Sequence, residues 1–330
     1  MERPAQISFL LLFVALVLIA TLDLGACLVT VLFGHLALQF FSRFRNKLLS
    51  AFLYLVSAVA IVAGLCFLAS RAYRTLPQIA DQAIPAMAAY AERNGIDLPF
   101  TDYESLKSTA LSEAREGIST LGRYARIASF QSLLVLAGLV IALSMFLNPT
   151  WTSRSAPSTQ TQGVYESVTK ELSLRFERLY QSFAWVMGAQ IVISGINTAL
   201  TAFFLAIGGY PYAPLLIPLV FLCGLLPIVG NLVSNTVIVA VGFTLSPKTG
   251  IIALVFLIVI HKLEYFLNSK IVGRRIDSPV WLTLIALLLG ERIMGVPGMI
   301  IAPVLLHYIK TEAYAFQYFP RTADSPPSSR

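Results

Sequence analysis

Residues Pro211 to Leu306 read PYAPLLIPLVFLCGLLPIVGNLVSNTVIVAVGFTLSPKTGIIALVFLIVIHKLEYFLNSKIVGRRIDSPVWLTLIALLLGERIMGVPGMIIAPVLL. This stretch is too apolar for a soluble core. Yet Pro218, Pro227, Gly230, Pro297, Gly298 and Pro303 interrupt it where a simple membrane helix would run on. A proline inside a helix removes a backbone donor and clashes with the preceding turn. Hydrocarbon cannot hydrogen-bond the freed groups, so such breaks belong beside protein or a watered cavity. Paired, broken apolar segments point to the binding region of a transporter. The stretch therefore predicts the centre of an all-α, polytopic membrane transport protein.

Composition agrees. Of 330 residues, 57% are hydrophobic and 12% charged, where a soluble domain carries about 25% charged. Mean hydropathy is +0.75. The net charge of +7 does not indicate nucleic acid, because the excess lies in short loops between apolar segments, where it sets membrane orientation. Cys27, Cys66 and Cys223 lie inside apolar segments with no pairing or metal spacing and read as small packing residues. Leu24-Gly25-Ala26-Cys27 resembles a lipoprotein cleavage box, but the apolar run continues to Phe41 and the preceding start is barely basic. No phosphate-binding loop, Gly-x-Ser-x-Gly turn or zinc-protease helix appears, so neither an enzyme nor ATP-driven transport is expected, and no cofactor. His261-x-x-Glu264 is at most half a metal site. The chain has only three histidines, and a site needs three or four ligands, so no metal is expected.

Five regions follow from the pattern. Residues 1–70 form a hairpin-like apolar pair turning near Asp23, then a membrane helix over 48–70. Asp23 reads either as a turn residue at the membrane surface or as a functional carboxylate. Residues 71–126 carry seven basic and seven acidic residues and belong in water. Leu76, Ile79, Ala80, Ala83, Ile84, Met87 and Tyr90 recur at helical spacing. After Asn94-Gly95, Thr101-x-x-Glu104 reads as a capping box opening a second apolar face from Leu106 to Ala125. This predicts an extramembrane amphipathic hairpin that packs on its own membrane domain or on neighbouring subunits, or docks a partner. Residues 127–182 hold a pass, a polar linker over 151–163 and an amphipathic helix. Residues 183–316 form the membrane core with broken or re-entrant hairpins; in its first pass Ala184, Gly188 and Gly195 suggest a close-contact face. Residues 317–330 have a disordered composition. The total is about eight transmembrane segments. Counted as passes, they place fifteen Lys and Arg on the side of both termini, which should be cytoplasmic. Arg71, Arg74, Arg123 and Arg126 run against that count, flanking the opposite loop close to the membrane.

Two motifs carry a family likeness. One is Pro-x-x-Gly in Leu226-Pro227-Ile228-Val229-Gly230. The other is the block Leu263-Glu264-Tyr265-Phe266-Leu267-Asn268-Ser269-Lys270-Ile271-Val272-Gly273-Arg274-Arg275, followed by Pro279, Gly290, Gly295-x-Pro297-Gly298-Met299 and Pro303. Over about 100 residues their order resembles the autoinducer-2 exporter family of bacterial permease-like proteins. The N-terminal layout resembles it too. Lys270 stands where a proline often follows the asparagine–serine step, and Glu291-Arg292 is more charged than usual for that turn. The resemblance implies export of small solutes such as the autoinducer-2 signal, or cation/proton exchange, by homo-oligomeric proteins of the bacterial inner membrane.

Glu264 is the leading functional candidate. A carboxylate at the end of an apolar helix is costly unless paired or solvated, and such a group is suited to carrying a proton. Asn268 lies one turn on. The alternative is a pair with Lys262, Lys270 or Arg274 that pins the helix end. Pro227, Gly230 and Asn231 read as pathway lining at a broken helix or as a tight turn, and Asn235 lies one turn beyond Asn231. Glu291 and Arg292 read as a gate or a surface turn. Gly295, Pro297 and Gly298 shape a hinge. The expected function is secondary transport or export of a small polar solute, with a proton or sodium ion as the coupling partner and the lipid bilayer as surroundings. The alternatives are a passive channel and a membrane scaffold acting through the 71–126 hairpin.

Overall fold

A computed structural model describes residues 3–44, 46–95, 121–148, 163–226, 229–271 and 279–318. Every regular element among the described residues is a helix: α1 (Arg3–Thr21), α2 (Gly25–Phe41), α3 (Lys47–Arg93), α4 (Leu121–Leu147), α5 (Val164–Ile207), α6 (Ala213–Gly224), α7 (Val229–Leu245), α8 (Pro247–Ile271) and α9 (Val280–Tyr318). Five of these are long and apolar enough to cross a membrane by length and composition. The fold is that of an all-α, multi-pass membrane protein.

The turn expected at Asp23 separates α1 from α2. Asp23 is exposed with φ 54°, a left-handed position that Asp tolerates better than most residues. It serves the turn.

Helix α3 runs on past residue 70. Its 47 residues make one rod of about 70 Å, so the first arm of the amphipathic insertion continues directly from the membrane helix. Thr75, Ile79, Ala83 and Ala91 recur in steps of four or eight and are buried, while Pro77 and Pro85 lie on the exposed side. Ala80, counted with the stripe from sequence, is exposed. Ile79 packs into a core with Leu205, Leu216, Val220, Ile238 and Val241, so this arm packs on its own chain. It stops at the predicted signal. The Asn94 side chain donates to the Tyr90 carbonyl at 2.8 Å, and Gly95 takes φ 61°. The capping box at Thr101 and the side chains of the second apolar face lie outside the described residues.

The chain divides into two compact units. One comprises Met1–Gly25, Pro149–Val186 and Ile276–Arg330; the other comprises Ala26–Asn148 and Met187–Arg275.

In the first unit, α9 is a hairpin rather than a rod. Gly295 has φ 61° and ψ −141°, a region open essentially to glycine alone. In a straight helix, residues eight apart lie about 12 Å from each other. Here a Cβ on Gly298 would strike the Gly290 carbonyl, so the chain reverses and the two arms touch backbone to backbone. The same unit holds a buried ion-pair network. Glu312 accepts from Arg175 at 3.4 Å and from Arg178 at 3.0 Å. Arg175 also donates to Ser8 Oγ at 2.8 Å and to the Ala5 carbonyl at 3.3 Å, over the face of Phe9. It thereby ties the start of α1 to α5 and to the end of α9.

In the second unit, α7 packs against both α6 and α8. With 12 and 17 residues, α6 and α7 measure about 18 and 26 Å, each less than the roughly 30 Å of a hydrocarbon core. Ser246 opens α8: its hydroxyl accepts from the Thr249 backbone N–H at 3.1 Å, with Pro247 as the first helical residue.

Candidate solute and ion pathway

The site is built in the second unit from three helices. On α8 the buried positions are Ala253, Leu257, Ile260 and Glu264. Steps of four, three and four keep them on one helical face, so the apolar stripe ends on a carboxylate pointing inward. Glu264 is 7% exposed, and so is Asn231 in the first turn of α7. The Asn231 amide donates to Glu264 Oε2. Asn197, 4% exposed on α5, also interacts with the carboxylate, while its own amide oxygen is buried and has no hydrogen-bond partner among the described residues. His261 Nδ1 lies 3.9 Å from Glu264 Oε2 on a ring that is largely exposed. It contributes charge only when protonated. Among the described residues, no Lys or Arg pairs with Glu264, and Lys262 is exposed.

The break beside this site is stabilised by α5. Gln190, Ser194, Asn197 and Thr201 are all buried on one face. Gln190 donates to the Gly224 carbonyl at 2.6 Å and Ser194 to the Phe221 carbonyl at 2.7 Å. These are carbonyls at the end of α6, which the helix itself leaves unpaired. Sequence reasoning missed these four residues, although polar side chains spaced four, three and four inside an apolar helix were the available signal. It chose Ala184, Gly188 and Gly195 instead. Among the described residues, nothing lies within 4 Å of a Cβ built on Gly188 or Gly195, so these glycines meet no close neighbour there.

A groove of about 600 Å³ opens beside the dyad; Asn231, Asn235, Thr236, His261 and Lys262 share its lining with a larger apolar set that includes Met87 of α3, Leu232, Val239, Leu254 and Ile258. Asn231 is the member of the dyad that lines it. A buried carboxylate hydrogen-bonded to an amide beside an open groove can take up a proton or a small cation.

Of the expected site residues, Glu264 and Asn231 come together. Gly230 is buried beside them, where a Cβ would run into the Cys223 carbonyl. Pro227 lies outside the described residues, and Asn268 lies on α8 with its side chain outside them. Gly295, Pro297 and Gly298 form the α9 hairpin tip in the other unit. Glu291 and Arg292 are exposed on the first arm of that hairpin, in no ion pair among the described residues. No cluster of three metal-ligating side chains occurs among the described residues.

Comparison with known proteins follows the same direction. A family model described as AI-2E family transporter matches residues 6–315. The chain is 24% identical over 268 residues to "Putative transport protein YdbI" of Bacillus subtilis (strain 168), covering 80% of this chain and 75% of that one. It is 29% identical over 129 residues to "Putative transport protein YueF" of the same organism, covering 38% and 34%. With a family match over nearly its whole length, the chain belongs to the AI-2E family of transporters, membrane transport proteins rather than enzymes.

Proposed function

We propose that this protein is a secondary transporter that exports a small polar solute across the bacterial inner membrane. Its cargo is either an autoinducer-2-like signal molecule or a cation exchanged for a proton. The observation that carries the reading is the Glu264–Asn231 dyad. It is a carboxylate 7% exposed that accepts from the Asn231 amide, and Asn231 lines an open groove. Among the described residues no Lys or Arg pairs with it, and an ionisable group kept inside a membrane bundle marks a substrate or ion route. Broken helices such as α6 and α7 supply the neighbouring backbone ends that bind polar cargo in transporters. The resemblance to inner-membrane permeases supports a homo-oligomer, and the Lys and Arg count supports both termini in the cytoplasm. The scaffold alternative acts through the 71–126 hairpin; against it stands the first arm, where Thr75, Ile79, Ala83 and Ala91 are buried and Ile79 packs in the chain's own core.

The test is counterflow in proteoliposomes with a panel of small polar solutes and monovalent cations, run with and without an imposed proton or sodium gradient. Gradient-driven accumulation of at least one cargo is the expected result. Flux that ignores both gradients would return the passive channel in its place.

A further inference from the structure

A second cleft lies away from the dyad, where the apolar run of α3 gives way to charge. It has a volume of about 390 Å³, and its lining includes Phe67, Arg71, Arg74, Thr75, Gln78 and Tyr212. Arg71 and Arg74 are three residues apart and therefore neighbours on one helix face. Among the described residues, neither has a carboxylate within ion-pair distance. Thr75 is 7% exposed, and its hydroxyl takes part in no hydrogen bond among the described residues. Tyr212 is held at φ 64°, which is costly for a bulky residue. Its carbonyl is fixed there by the Leu215 and Leu216 amides, at 2.8 and 3.0 Å, so the first turn of α6 holds it at the cleft.

We propose that this cleft binds a phosphate-type oxyanion. Two guanidiniums supply forked, charge-assisted donors, and Thr75, Gln78 and the Tyr212 hydroxyl add neutral ones. Phe67 in its lining suits the boundary between acyl chain and water, where anionic headgroups attract basic side chains. This assignment also explains why Arg71 and Arg74 defy the positive-inside count: they serve a ligand rather than topology. The phosphate belongs either to a lipid headgroup or to a soluble anion.

Two arms separate the sources, each comparing the whole wild-type protein with Arg71→Gln/Arg74→Gln and Arg71→Lys/Arg74→Lys. In the first, protein from nanodiscs of mixed phosphatidylcholine and phosphatidylglycerol is stripped in detergent, and retained lipid is read by native mass spectrometry. In the second, inorganic phosphate is titrated calorimetrically into protein held in phosphatidylcholine alone. We expect selective retention of phosphatidylglycerol, or binding of phosphate, weakened about tenfold or more by the double glutamine variant. The lysine variant should fall between, since it keeps the charge and loses the fork. Equal binding by wild type and glutamine variant in both arms, or no binding by wild type in either, overturns the proposal. Should the double variant misfold, Arg74→Gln alone carries the same comparison.

Discussion

Replacing Glu264 by Gln separates a transport role from a structural one. The substitution keeps the side chain's shape and leaves an amide oxygen to accept from Asn231, the bond seen in the structure. A hydrogen bond to a charged group contributes about 1.5–3 kcal/mol and a neutral one about 1 kcal/mol, so the weaker bond costs about 0.5–2 kcal/mol. Against this, a carboxylate that is 7% exposed, with no Lys or Arg paired to it among the described residues, bears a desolvation penalty of several kcal/mol, which the amide largely avoids. The relief is at least as large as the cost. The variant should therefore be no less stable than wild type in a thermal melt followed by fluorescence-detected size exclusion. Gradient-driven counterflow, in contrast, should drop to the level of protein-free liposomes. Wild-type flux by a folded Glu264→Gln protein would refute a carrier role. A loss of stability in step with flux would make the carboxylate a structural pin.

Three further outcomes follow from the packing. Gly295→Ala forces a Cβ into φ 61°, ψ −141° and should cost about 1–3 kcal/mol; Gly64→Ala, with nothing within 4 Å of its Cβ, should cost nothing in the same melt. Arg175→Met leaves Glu312 buried with a half-exposed Arg178 as its remaining cation and should destabilise by about 3–5 kcal/mol, and adding Glu312→Leu should recover much of the loss. Gln190→Leu strands the Gly224 carbonyl and should cost about 1–3 kcal/mol; an equally stable Gln190→Leu protein would show that water serves this helix end as well.

Much of the fold was legible because lipid imposes a strict pattern on sequence. The Asp23 turn, the Asn94-Gly95 stop and the break near Gly295 each announced themselves by a residue that tolerates what its backbone must do. The continuity of α3 was less visible. Charge appears at Arg71 and suggests a new element, yet nothing between 70 and 93 ends the helix, and the prolines at 77 and 85 fall on the exposed side. Glu264 and Asn231 were legible one at a time, as polar residues where apolar ones are expected. Their meeting was not, because 33 residues separate them and only the packing of α7 on α8 brings them together. Asn197 was missed for the same reason from further away.

The two buried carboxylates of the described structure show why burial alone does not mark a transport site. Glu312 is bound by two guanidiniums and the Tyr308 hydroxyl. Its charge is compensated in place, and removing a proton donor or acceptor there would leave a buried charge unmatched. That group holds α1, α5 and α9 in register. Glu264 is buried as well, but among the described residues no Lys or Arg pairs with it: the Asn231 amide donates to it, and the His261 ring 3.9 Å away is largely exposed. On the proposed function, a proton or a small cation completes a charge on Glu264. In that reading the Asn197 amide oxygen, which has no hydrogen-bond partner among the described residues, accepts from or ligates the arriving group. The proposal thus assigns to Glu264, and not to Glu312, the occupancy that changes during a transport cycle.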